Sequence, residues 1–292
     1  MQEAEKKGYL NHDFRIFHLC DSDEEQLEGM NFSYHYHDFD KIILFLSGDV
    51  NYSIEGRKYE LKPYDIVMVG AGEIHMPVIR GGIPYERIII YISHEFMKQF
   101  STEQYDLSRC LLRRTDESES GDSAFSHVLR MEHPRESRLF EVCRRLEESF
   151  QNEEYARELY QKVLFVEFMI LLNRALLEES VTYLEQIGSN RKTAAIVDYI
   201  NSNLNNDITL DGIAEHFYMS RSYLMHLFKA ETGYSVGAYI NEKRLMSAKN
   251  MIQNGMSVTE ACFEAGFRDY STFSRAFRKK FMTTPKNSSK LK

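Results

Sequence analysis

The chain has 292 residues, 43% hydrophobic and 27% charged, a globular composition that excludes a wholly disordered or collagenous protein and at this length favours about two domains. Its most apolar stretch, Val163–Leu177, is too short for a membrane span and holds Glu167, Asn173 and Arg174, and the polar opening Met1–Asn11 lacks a secretory signal. The net charge of −8 divides unevenly: residues 1–189 hold 21 Lys and Arg against 35 Asp and Glu, a balance of −14, and residues 190–292 hold 15 against 9, a balance of +6, which points to nucleic acid as the partner of the basic end.

In chain order, short β-branched and aromatic runs come first. They are Lys41–Leu46, Val50–Glu55, Lys58–Leu61, Ile66–Val69, Met76–Ile79 and Arg87–Ile92, divided by Gly-, Pro- and Asp-bearing turns. Such short, even strands predict a β-barrel or sandwich beginning near Phe32. Residues 94–115 read as helical, and Asp116–Ser123 as a polar, charged, mobile loop. Two helices are predicted at Ser137–Gln151 and Glu153–Glu179. The second carries Leu159, Val163, Val166, Ile170 and Leu177 at helical spacing, with Leu164, Phe168, Leu171 and Ala175 beside them. That stripe is wider than one amphipathic face, so it is either buried between the barrel and a neighbouring helix or partly a dimer seam. Tyr183–Lys192, with Gly188-Ser189-Asn190, reads as a linker. The expected division is 1–180, 181–192 and 193–292. Cys20, Cys110, Cys143 and Cys262 lie too far apart for a zinc module or a disulfide framework and read as thiols of a cytoplasmic protein.

The last hundred residues are helical in pattern and hold one plan twice. Leu210–Phe217 predicts a helix, Tyr218-Met219 a turn, and Ser220 the cap of a second helix to about Glu231. Ser257-Val-Thr-Glu260 is a capping box opening a helix that stops near Gly266, and Asp269 caps another to about Phe281. Each pair has the dimensions of a helix-turn-helix. Between them, Thr232-Gly233 and Gly255 bracket a helix over Val236–Asn254 of about 28 Å, a strut that suits two reading helices near the 34 Å turn of DNA.

These residues carry a resemblance. The stretches Ile208-Thr-Leu-Asp-Gly-Ile-Ala214, Ser220-Arg-Ser-Tyr-Leu224, Leu227-Phe-Lys229 and Glu231-Thr-Gly233, then Ala265-Gly-Phe267, Tyr270-Ser-Thr-Phe273, Phe277 and Thr284-Pro285, look like the AraC/XylS family of bacterial transcription activators. Met282 stands where that family usually has Gly, and Asn287-Ser-Ser-Lys290 replaces its usual ending. The resemblance implies double-stranded promoter DNA and RNA polymerase as partners, and a homodimer. By position, it turns Arg221, Ser222, Met225, His226 and Lys229 of the first reading helix toward DNA, with Leu224, Leu227 and Phe228 inside. In the second it turns Tyr270, Ser271, Ser274, Arg275 and Arg278 outward, with Phe273 and Phe277 inside. Arg275 is the best base reader, because a guanidinium can pair with guanine O6 and N7 together. Lys229, Arg278, Lys279 and Lys280 suit phosphates.

In the strand-rich half, Gly29, His35, His37 and Gly48 fit the first motif of a cupin, except that Lys41 takes the acidic position. The run from Tyr64 through Gly70 and Gly72-Glu-Ile-His75 is similar to the sugar-sensing domains attached to this DNA-binding family. In a metal cupin the histidines and the acid face one ion; a cation in their midst repels it, although a three-histidine zinc site stays chemically open. The expectation is therefore a pocket without cofactor or metal, in which His35, His37, Lys41, Ile43, Phe45 and His75 meet a small polar effector, a sugar or sugar derivative. The whole reads as α+β: a cupin-like β-barrel with a helical dimerisation segment, then an all-α domain with two helix-turn-helix motifs. The leading function is a sequence-specific transcription regulator without catalytic residues. The alternatives are a metal-dependent cupin enzyme fused to a DNA-binding tail, and a regulator that answers to a protein partner.

Overall fold

The computed structural model describes residues 10, 13–21, 33–111, 126–177, 181–184 and 191–288. Gly29, the Asp116–Ser123 loop and Gly188-Ser189-Asn190 fall outside them. The chain parts into two compact units, one of residues 1–54 and 58–188 and the other of residues 55–57 and 189–292.

The first unit is β-rich. Its strands are β1 (Phe14–Asp21), β2 (Asp40–Ser47), β3 (Val50–Ile54), β4 (Arg57–Glu60), β5 (Ile66–Val69), β6 (His75–Ile79), β7 (Tyr85–Ile92), β8 (Val128–Met131) and β9 (Val181–Tyr183). They form one sheet in the order β1-β7-β2-β5-β8-β9 and another in the order β4-β3-β6. β2 lies antiparallel to both β5 and β7, with Ile42 opposite Met68 and Ile90, and Leu44 opposite Ile66 and Ile88. Successive side chains point to opposite faces, so these residues share one face. Helices α1 (Arg138–Ser149) and α2 (Arg157–Leu177) cover it with Leu139, Val142, Leu146, Phe165, Phe168 and Leu172. Ile43, Phe45, Val67, Ile89 and Tyr91 take the other face and pack against Val50, Tyr52, Ile54 and Tyr59 of the smaller sheet. Burial on both faces explains why β2, β5 and β7 are nearly continuous apolar runs.

Several expectations are corrected. β1 lies outside the predicted strands: its alternation is blurred because both faces carry aromatic or aliphatic residues, and it pairs with β7 along its whole length. Val181–Tyr183, expected in the linker, is the edge strand β9, with Leu129 of β8 opposite Tyr183. Of the helical reading of 94–115, only single turns at His94–Met97, Lys98–Phe100 and Leu107–Cys110 form among the described residues. Between them Thr102 Oγ1 accepts from the Gln104 and Tyr105 amides at 3.2 Å each, a local alternative to helical hydrogen bonds.

From Arg191 onward the described residues of the second unit are helical: α3 (Arg191–Ser202), α4 (Leu210–His216), α5 (Arg221–Thr232), α6 (Val236–Gln253), α7 (Val258–Glu264), α8 (Tyr270–Phe281) and a closing turn Pro285–Ser288. Side-chain caps set the starts. Thr209 Oγ1 accepts from Gly212 N at 3.0 Å, Ser220 Oγ from Tyr223 N at 3.2 Å, Ser257 Oγ from Glu260 N at 3.2 Å and Asp269 from Thr272 N at 2.6 Å. Gly233, at φ 75, ends α5. At Gly266, φ is 90 and an added Cβ would lie 2.1 Å from the Leu204 carbonyl oxygen, so only glycine fits the turn between α7 and α8. That same carbonyl accepts from Arg244 Nε at 2.8 Å, and Arg244 Nη2 donates to Asn206 O at 2.8 Å, tying α6 to the loop before α4.

Candidate functional site

His35 and His37 precede β2 rather than lying on it. An isolated bridge between His35 and His75, closed by amide-to-carbonyl bonds of 3.2 and 2.9 Å, brings them to the start of β6. The imidazole centroids are 4.4 Å apart for His35 and His75, 4.9 Å for His37 and His75, and 6.4 Å for His35 and His37. His37 stacks on Phe39 at 3.9 Å, and His75 lies parallel to Tyr52 at 6.1 Å. Each ring is oriented by its own backbone: Nδ1 meets Ser33 O at 2.9 Å, Phe39 O at 2.7 Å and Glu73 O at 2.9 Å in turn. His37 and His75 are fully buried, and burial first, then the charge of Lys41 among their neighbours, holds both well below the usual histidine range. Lys41, itself buried, has Nζ 5.8 Å from the Tyr91 ring.

The structure thus gathers four of the six predicted effector residues: His35, His37, His75 and Lys41. Ile43 and Phe45 share Lys41's face of β2 but continue into the packed interior, where Phe45 meets Tyr85 at 6.1 Å. Polar residues to which the sequence assigns no role hydrogen-bond around the cluster. Asp40 accepts from Ala71 N at 2.9 Å and Glu73 from Gly70 N at 2.8 Å, so two carboxylates pin the turn that leads into His75. Burial pushes the Asp40 carboxyl up to about 6. Glu73 also lies 3.3 Å from His127 Nε2, and the Tyr59 hydroxyl lies 3.1 Å from His127 Nδ1. The Gly70-Ala71-Gly72 turn was the only signal for this support. Among the described residues, no group of three or more His, Cys, Asp or Glu is placed to hold a metal ion.

In the second unit, helix periodicity sorts the two reading helices into faces. On α5, Leu224 and Phe228 are buried and Leu227 is half-buried, whereas Arg221, Ser222, Met225, His226 and Lys229 are exposed. On α8, Phe273 and Phe277 are buried, Ser274 is half-buried, and Tyr270, Ser271, Arg275 and Arg278 are exposed. Arg275 Nε donates to its own helix at Ser271 O, 3.3 Å away. Arg221 pairs with Asp211 of α4 at 3.4 Å. Lys280 differs from expectation: its ammonium sits 3.0 Å from Glu242 of α6, so part of its charge serves the strut. Hydrogen bonds donated by Thr272 hold the carboxyl of Asp269, the N-cap of α8, below the usual carboxylate range.

Two family descriptions match. The AraC-like ligand binding domain covers residues 24–164, and a helix-turn-helix domain covers residues 213–290. The HTH-type transcriptional activator RhaS of Shigella sonnei is 21% identical over 265 residues, which is 90% of each chain. Solved structures with likeness include ToxT from Vibrio cholerae, 15% identical, covering 95% of this chain and 96% of that one at a TM-score of 0.35. Another is the DNA-binding domain of AdpA in complex with a target DNA, 22% identical, covering 33% of this chain and 88% of that one at a TM-score of 0.33. The relatives are transcription regulators and not enzymes, which removes the expected alternative of a cupin enzyme with a DNA-binding tail. No described helix is long and apolar enough to cross a membrane. With a ligand-binding domain followed by a DNA-binding helix-turn-helix domain, the chain belongs to the AraC family of transcription regulators.

Proposed function

We propose that this regulator works in the cytoplasm as a homodimer that binds promoter DNA and activates transcription through RNA polymerase when a small polar effector, a sugar or sugar derivative, occupies the first unit. Activation is the role in the name of its RhaS relatives. The observation that carries the DNA reading is the pair of capped helices α5 and α8, each with one packed aromatic-aliphatic face and one polar face. Arg275 reads a base; Arg221, Ser222, Met225, His226, Tyr270, Ser271 and Ser274 lie along the groove; Lys229 and Arg278 hold phosphates. The effector site is the cluster of His35, His37, His75 and Lys41, with Ile43 and Phe45 forming the apolar floor beyond.

Dimerisation uses the outward stripe of α2. Leu159 is 64% exposed, Val163 54% and Leu177 57%, although all three are apolar and lie one to several turns apart on a single helix. Beside them Tyr155, Leu159, Tyr160 and Val163 line a surface cavity of about 450 Å³ that a partner's side chains can fill. The test is a thermal-shift screen of small polar compounds on the full chain freed of metal by chelation. A sugar-class compound that raises the melting temperature and changes affinity for DNA is the expected hit. A chain that answers no small molecule, or only an added metal ion, overturns the effector reading.

A further inference from the structure

The two helix-turn-helix motifs close their first helices in the same way. After α4 the Tyr218 amide donates to Glu215 O at 3.1 Å and the Met219 amide to Ala214 O at 2.9 Å. After α7 the Gly266 amide donates to Phe263 O at 2.9 Å and the Phe267 amide to Cys262 O at 3.1 Å. This pair of bonds puts one residue in the left-handed region, the usual place of glycine at a helix end. The second motif has glycine there, at φ 90; the first has Tyr218, at φ 51. A side chain held in that conformation costs free energy. Tyr218 recovers none of it by packing, because it is 97% exposed, a ring and a hydroxyl held in solvent. A strained aromatic without packing points to a contact outside the chain.

The second motif shows where such a side chain is aimed. A Cβ on Gly266 would strike the Leu204 carbonyl and lie 2.8 Å from Arg244 Nε, and Leu204 belongs to the loop between α3 and α4, on the side of the first motif. A side chain at this place therefore leaves its motif toward the one before it. Two motifs that read one face of DNA a helical turn apart repeat by translation along the duplex. The same direction from the first motif leads away from the second, past the end of the tandem, where flanking duplex continues. Tyr218 also lies two residues before Ser220, the cap of α5. Reading helices approach the bases with their N-terminal residues, which brings this turn alongside the phosphates that border the groove. A tyrosine hydroxyl is a donor that phosphate oxygens accept.

We infer that Tyr218 is a further DNA-binding residue, whose hydroxyl donates to a backbone phosphate of the duplex flanking the α5 element, on the side away from the α8 element. This rests on α5 and α8 reading one duplex together. The contact lengthens the footprint beyond the two groove elements without adding base preference, since a phosphate carries no sequence information. Because tyrosine is uncharged, it adds affinity without adding to the salt slope.

The test uses the full chain and a duplex selected for it from a random pool, holding one site, in three forms: flanked at both ends, trimmed at one end, and trimmed at the other. On the flanked duplex Tyr218→Phe should lose about tenfold in affinity, the size of a hydrogen bond to a charged oxygen, at an unchanged salt slope. Tyr218→Gly should lose at least as much while melting no lower than the parent chain, because glycine suits the turn. Trimming one end, the one farther from the element whose preference Arg275→Ala relaxes, should weaken the parent chain and erase its advantage over both variants. Trimming the other end should leave that advantage intact. Equal affinity of Tyr218→Phe and the parent chain on the flanked duplex, or an advantage that survives trimming at either end, overturns the proposal even where the selected duplex holds two elements. A selected duplex with a single element fails the tandem reading, and the proposal with it.

Discussion

Arg275 carries the most specific residue-level expectation. It lies on the exposed face of α8, two positions before buried Phe277. If it pairs with a guanine, Arg275→Ala costs about 1–3 kcal/mol on the specific site and relaxes preference at one base. Lys279→Ala should weaken specific and scrambled duplexes alike and reduce the salt slope by about one; Lys280 is a poorer probe, because its loss also breaks the bond to Glu242. Binding both duplexes at several salt concentrations separates the two roles, and an equal loss for Arg275→Ala on both duplexes would make it a phosphate anchor only. A second expectation concerns pH. His37 and His75 are held below their ordinary 6.5, so below that value the unfolded chain binds protons that the folded rings refuse, and stability falls with acid. His94, lowered by burial, adds to this trend. Asp40, raised from 3.8 to about 6, opposes it with one group. At His18 the hydrogen bonds to Glu147 and Glu86 outweigh burial and raise its pKa, so its contribution is lost only as pH rises above 6.5. The net result is weaker protection of β2 amides at pH 5 than at pH 7, read by hydrogen exchange; equal protection contradicts the neutral, buried assignment. The histidines themselves were legible in the sequence. Their meeting was not, because it depends on a bridge between residues forty apart that leaves no periodicity.

Caps decided how legible each element was. α4, α5, α7 and α8 follow their sequence signals closely because Thr209, Ser220, Ser257 and Asp269 each bond an amide of the first turn. β1, β8 and β9 carry no clear sequence signal, since short or edge strands lack a clean alternation and owe their existence to partners distant in sequence. The same local logic makes a test at Met282. It ends α8 in the left-handed region at φ 54, with its side chain 87% exposed, so the conformation is strained and little packing compensates. Met282→Gly should stabilise the second unit by about 0.5–1 kcal/mol. Gly266→Ala should do the reverse by more than about 2 kcal/mol, because the new methyl strikes the Leu204 carbonyl. Chemical denaturation followed by helical circular dichroism reads both, and a destabilised Met282→Gly variant would show that Met282 makes contacts that matter.

For the molecule as a whole, charge and periodicity foretold a β-rich acidic part and a helical basic part, and α2 turns out to serve two directions. Leu164, Phe165, Phe168 and Leu172 pack on the sheet, while Leu159, Val163 and Leu177 face outward. Val163→Glu should therefore leave the fold intact and shift sedimentation of the full chain from dimer toward monomer, with weaker DNA binding through lost effective concentration; an unchanged dimer places the interface elsewhere. Recognition of DNA by two reading helices on one strut sets the geometry expected of the target site. α6, with 18 residues, spans about 27 Å. Selection of duplexes from a random pool by the full chain, followed by salt titration of the winner against a scrambled control, tests it most directly. An enriched sequence with two short major-groove elements about one helical turn apart is expected, with affinity that falls steeply with salt for both duplexes. No enrichment over the scrambled control, or a single isolated element, would contradict it.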